Sequence, residues 1–284
     1  HRFAVFLILP AVVGWQLVLT PTDFALVAQS QDAKGHLLVA MGLEAEGKPG
    51  AEEEYRLAIK ANGGNYPEAI ERLMWCIARQ LRFVDASNLL REYISETPNE
   101  DHTYDVKQIS EFRRAAALKA RIERDPLPRL SDLLEFIPIA DGYGGVERGR
   151  SYASEAVHLY PDSVDALLAL SRLSPADERI ELLTKAVKLD PGDPRVHSGL
   201  GASYVTAGQI SDALREYKEA LRLTNGKEAN AWLGIGFAYE INGETQNAIN
   251  AFRQYLSGRE ISSEYDQQIE SRIRHLEQRL SENK

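Results

Sequence analysis

The sequence predicts an all-α protein in which helix-turn-helix pairs stack into a solenoid, and three observations lead there. Beyond Asp32, apolar residues recur at three- and four-residue spacing in helix-length blocks. The blocks end at Gly, Pro, Asn or Asp, and no alternating strand pattern of convincing length competes. Marked positions then return at a nearly constant interval, the sequence mark of a stacked array.

Bulk composition agrees and narrows the function. A chain of 284 residues, 44% apolar and 26% charged, can bury a continuous core by stacking, and it has no Gln-, Ser- or Pro-rich tract. Its formal net charge of -9 argues against a nucleic-acid partner, which demands a Lys/Arg surplus on at least one face. The densest basic cluster, Arg113, Arg114, Lys119, Arg121 and Arg124, is interleaved with Glu111, Glu123 and Asp125 and reads as a solvated helix face. The single cysteine, Cys76, excludes a disulfide framework and a Cys-rich metal site. Its neighbours Met74, Trp75 and Ile77 suggest a buried thiol.

The first element, residues 1–22, is an apolar lead. Phe3 to Leu19 is seventeen residues with Gln16 the one polar side chain, close to spanning length, and Trp15 suits an interface. A signal peptide is the alternative, but the best cleavage site, after Ala28, places Leu26 where a small residue is preferred. His1 and Arg2 precede the run while Asp23 and Asp32 follow it, which favours a single-pass anchor with the remainder outside, in a periplasmic or extracytoplasmic space. A buried helix of the fold ranks below the anchor, because the run lacks a polar stripe.

Repeats occupy 32–98. Here Ala86, Leu90 and Tyr93 repeat the spacing of Ala51, Tyr55 and Ala58, with an offset of thirty-five at shared positions, and Pro98 closes the second unit. Residues 99–128 hold an extra helix, roughly Val106 to Arg124, expected to connect two lobes. Further repeats fill 129–260, with units beginning near Leu130, Ser163, Pro194 and Ala229 after the two near Asp32 and Pro67. The unit from Ser163 is short and carries Arg179 where a small residue is expected. Residues 261–284 form a last helix, about Glu264 to Glu282, whose stripe of Ile269, Ile273, Leu276 and Leu280 suits a cap over the final repeat. A coiled-coil pairing with a second copy is the sharper alternative, though four apolar positions are too few to prefer it, and a homo-oligomer has no other support.

The clearest repeat sets Leu200-Gly201, Tyr204, Ala213, Tyr217 and Ala220 against Ile235-Gly236, Tyr239, Ala248, Phe252 and Tyr255, again thirty-five apart. This pattern, with Trp232 at the aromatic site of the first helix, resembles the tetratricopeptide-repeat family; joined to the apolar lead it is similar to membrane-anchored bacterial members. The resemblance implies a right-handed solenoid with first helices lining a concave groove that holds a protein or peptide. On that frame the inward positions are Arg195, Ser198, Ala202 and Val205 in the fifth unit, Asn230, Leu233, Phe237 and Glu240 in the sixth, and Glu68, Glu71, Trp75 and Ala78 in the second. The Lys and Asn clamp that some members use for a carboxyl terminus is not matched, so Trp75 and Phe237 stand as the candidate anchors.

Catalytic chemistry finds no footing. The histidines at 36, 102, 158, 197 and 275 are scattered and form no HExxH or other metal spacing, so no metal or cofactor is expected. No GxSxG elbow occurs, and the glycine-rich stretch Asp141 to Arg150 lacks both a preceding strand and the Lys-Ser/Thr pair of a phosphate loop. Gly149 within it falls instead at a small site of the following helix. The leading expectation is a membrane-tethered scaffold or adaptor. The rival is the C-terminal repeat tail of a larger polytopic membrane enzyme, such as a polysaccharide polymerase or ligase, with its catalytic residues upstream of His1.

Overall fold

The computed structural model describes residues 21–257 and 263–282, with side chains from Gln31 onward. The apolar lead from Phe3 to Leu19 lies outside the described residues. Within them the chain is all-α, with fourteen helices and no strand. They fall into two compact units, one made of α1 to α4 with the start of α5 through Phe112, the other made essentially of Arg113 onward.

In the first unit, α1 (Pro21–Ala45) pairs with α2 (Ala51–Ala61), and α3 (Pro67–Arg79) is followed by α4 (Phe83–Glu96). The helix of the first repeat is already formed at Pro21, ahead of the Asp32 expected from sequence, because nothing between them breaks a helix. Ala33, Leu37 and Ala40 bury against Ala51, Tyr55 and Ala58, and the Tyr55 hydroxyl donates to Glu44 at 2.6 Å. Arg82 at the entry to α4 reaches back to Glu52 of α2 at 2.7 Å while also holding Asp85 at 2.8 Å. The turn before it places Leu81 at φ 57 although that side chain is only 3% exposed. The equivalent turns of the later pairs use Gly208 and Gly243 at φ 74 and 79, where no side chain resists the left-handed backbone.

The extra helix α5 runs from Thr103 to Arg124, starting three residues before the expected Val106. Asp101 explains the early start, since its carboxylate accepts from both the Thr103 amide and hydroxyl. Its early turns pack Phe112 between Phe83, stacked at 6.0 Å, and Trp75, edge-on at 6.4 Å. The compact units divide inside this helix, not at either of its ends.

The second unit stacks four hairpins. They are α6 (Leu130–Gly144) with α7 (Val146–Leu159), α8 (Val164–Arg172) with α9 (Ala176–Leu189), α10 (Pro194–Thr206) with α11 (Ile210–Leu223), and α12 (Ala229–Ile241) with α13 (Thr245–Leu256). Each hairpin packs on the next, and α14 (Glu264–Glu282) packs on α13. Small residues set the approach. A Cβ on Gly149 would meet Asp141 Cβ at 2.7 Å, and one on Gly236 would meet the Phe252 ring at 2.4 Å. Tyr217 lies against two glycines, Gly201 of its own hairpin and Gly234 of the next. That is why the sequence repeats Gly and a large aromatic together thirty-five residues apart.

Helix ends are closed by local chemistry. Ser163 accepts from the Ala166 amide, and Asp193 accepts from the Arg195 amide with Pro194 at the first helical position. The short α8 ends without glycine, and Arg179 of α9 resolves the anomaly. Its guanidinium donates to the Ser171 and Ser174 carbonyls at 3.0 and 2.9 Å, closing the end of α8 that the missing residues would have continued. The cap α14 buries Ile269, Ile273 and Leu276 against Ala248, Ile249, Phe252 and Tyr255. Tyr255 donates to the 2%-exposed Asp266 at 3.0 Å, and Arg253 pairs with Glu277 at 2.6 Å.

Candidate partner-binding groove

The first helices of the second unit form one face. Helix α6 lies beside α8 and α10 beside α12. Arg195 of α10 ties to Asp165 of α8 at 2.9 Å, and Arg272 of α14 grips Glu240 of α12 at 2.6 and 3.0 Å. The cap thus continues the face formed by α12.

Two cavities open along this face. One, about 440 Å³, has Ile137, Pro138 and Leu168 in its wall and Arg172 and Arg195 among its charged residues. The other, about 490 Å³, is lined by Val205, Phe237 and Ile241 with Glu240, Arg272 and Arg279. Both pair an apolar wall with charged side chains. Among the described residues, no group of three or more His, Cys, Asp or Glu is placed to hold a metal ion.

The expected residues distribute unevenly over this geometry. Arg195 lines the first cavity, while Val205, Phe237 and Glu240 line the second. Ser198 sits one turn after Arg195, and its buried Oγ has no hydrogen-bond partner. Asn230 is exposed at the start of α12 and lines neither cavity, and Leu233 is half-buried against the core beneath α14. Trp75 belongs to the first unit, where its ring packs on Phe112. Trp75 keeps part of its surface exposed there. Cys76, expected to be buried, is half-exposed.

Electrostatics fix the rims. Arg195 holds Asp193 through three bonds of 2.6 to 3.1 Å, and these keep the Asp193 carboxyl below the usual range despite its burial. The same bonds raise the pKa of Arg195, so this ion pair stays charged. Phe237 is braced as well as available. Phe252 meets it edge-on at 5.1 Å, and the Arg272 guanidinium stands 5.2 Å above its ring.

Sequence reasoning missed the α14 contribution. Arg272 and Glu240 are thirty-two residues apart and in different helices, so no spacing rule links them. Ile137, Pro138 and Leu168 could have been found by carrying the inward frame back into the third and fourth units.

Hairpins of this length, with glycine-aromatic packing and side-by-side first helices, define a helical-repeat protein. Residues 198–265 match the tetratricopeptide repeat family model. Over those residues the chain carries tetratricopeptide repeats.

Among curated relatives, the general transcriptional corepressor ssn6 of Schizosaccharomyces pombe is 28% identical over 123 residues, 42% of this chain and 11% of that protein. The tetratricopeptide repeat domain-containing protein PYG7, chloroplastic, of Arabidopsis thaliana is 29% identical over 114 residues, 39% of this chain and 36% of that one. The matches therefore span much less than two thirds of either relative. A crystal structure of MamA is similar at TM-score 0.45 and 21% identity, covering 55% of this chain and 94% of that one.

Proposed function

We propose that the chain is a scaffold that holds a protein or peptide segment on the first-helix face of its second unit, tethered to a membrane by its apolar lead. The observation that carries the binding half is the pair of cavities on one face, apolar-walled and rimmed by charge. An extended or helical segment laid along α10 would pass from Arg195 to Val205 and reach both.

The tether rests on Phe3 to Leu19, because no helix among the described residues is long and apolar enough to cross a membrane. Arg2 ahead of that run, with Lys34 the first base after it, supports an extracytoplasmic side for the repeats.

Two measurements separate the halves. Crosslinking pull-down with Val205→Glu should lose the bands that the unaltered chain recovers, since a carboxylate would enter an apolar wall. Unchanged recovery counts against the groove. Fractionation of the whole chain after alkaline wash should leave it with membranes, and deletion of residues 3–19 should release it. A deletion variant that stays membrane-bound removes the tether from the proposal.

A further inference from the structure

The groove face runs against the charge of the chain as a whole. The protein carries a net charge of -9, yet its two cavities are lined by four arginines and only three carboxylates. Two of those carboxylates are already committed, Asp165 to Arg195 and Glu240 to Arg272. The third, Asp141, shares the first cavity with Arg172, which has no other partner among the described residues, so that end is balanced.

The second cavity is not balanced. Arg279 of α14 is exposed there, and no carboxylate among the described residues pairs with it. Beside it stands Ile241, a large apolar side chain left 62% exposed, with Val205 and Phe237 continuing the apolar wall. One uncommitted cation next to an unfilled apolar wall calls for a ligand that combines a bulky apolar group with a negative charge.

Resting on the peptide-binding reading above, we propose that this cavity recognises an internal acidic-apolar segment of a partner protein. A Leu, Ile, Met or Phe side chain packs between Val205, Phe237 and Ile241, and a neighbouring Asp or Glu carboxylate forms a two-pronged bond with Arg279. A basic segment is disfavoured, since it would face Arg272 and Arg279 while the one acidic group, Glu240, is bound on both oxygens. Nucleic acid is disfavoured because the cavity offers a single uncommitted cation among the described residues, not a basic stripe, on a chain of net charge -9.

Random dodecapeptides displayed on phage test this, because peptides joined to a coat protein at their carboxyl end offer only side-chain carboxylates. The whole chain, held in phosphatidylcholine nanodiscs, should enrich Asp or Glu beside a bulky apolar residue. A synthetic peptide of the winning sequence should bind Arg279→Glu about five- to tenfold more weakly. Its Glu→Lys counterpart should recover affinity for that variant. Arg279 is exposed and makes no ion pair among the described residues, so the substitution should leave the fold intact. Selection of neutral or basic peptides, or equal affinity for Arg279→Glu, overturns the acidic preference and leaves the groove reading standing. Winners that bind Val205→Glu as tightly as the unaltered chain lie elsewhere, and both readings then fail. Both fail too when nothing is enriched over empty nanodiscs.

Discussion

Tyr217 shows why the repeat needs its glycines. A Cβ on Gly234 would come within 2.2 Å of the Tyr217 ring, and one on Gly201 within 2.9 Å. Gly234→Ala gains about 1 kcal/mol of helix propensity but overpacks a buried ring at a cost of about 1–3 kcal/mol. The steric cost wins, and urea denaturation should show net destabilisation. Gly142→Ala is the control, with open space around the new methyl and a gain of up to about 1 kcal/mol. Burial also pushes the Tyr217 hydroxyl up to about 12 from its ordinary 10.0. The unfolded chain therefore loses this proton first as pH rises. The stability from burying the neutral phenol is complete below pH 10 and falls between 10 and 12, by about 2–3 kcal/mol. Denaturant midpoints across that window, for the unaltered chain and Tyr217→Phe, check the sign; a flat difference refutes it.

Helix by helix, the departures from the family pattern are where the structure had to compensate. Arg179 stands at a small-residue position and uses its length to close α8. Arg179→Ala removes two charge-assisted bonds to carbonyls and should cost about 1.5–3 kcal/mol in denaturation, discounted toward the lower figure for partial exposure. Leu81 holds a backbone angle that glycine holds in the sister turns, at a strain of about 1–2 kcal/mol. Its burial, of the order of 2–5 kcal/mol on truncation, outweighs that strain. Cap α14 gives the third case. Leu276→Ala should cost about 2–5 kcal/mol and speed amide exchange in α14 and along α13, since the two share one core. Exchange that rises in α14 alone would separate the cap from the last repeat.

Across the whole molecule, periodicity made the helix pairs readable, because apolar spacing and the thirty-five-residue offset report local geometry. Gly236 with Phe252 could be recognised from sequence for that reason. What could not be read depends on contacts between distant helices. The contact of Trp75 with Phe112, thirty-seven residues on, follows no local spacing. Arg272 and Arg279 read only as the charged side of a capping stripe, yet they line the cavity under α12. Partner binding on the first-helix face of the second unit is the central proposal. Its most direct test is a photo-crosslinking residue at exposed Ala202 on α10, compared with one at exposed Lys218 on α11, in the living source cell. Binding on that face should give discrete partner adducts from position 202 and none from 218. Adducts from 218 alone would contradict it.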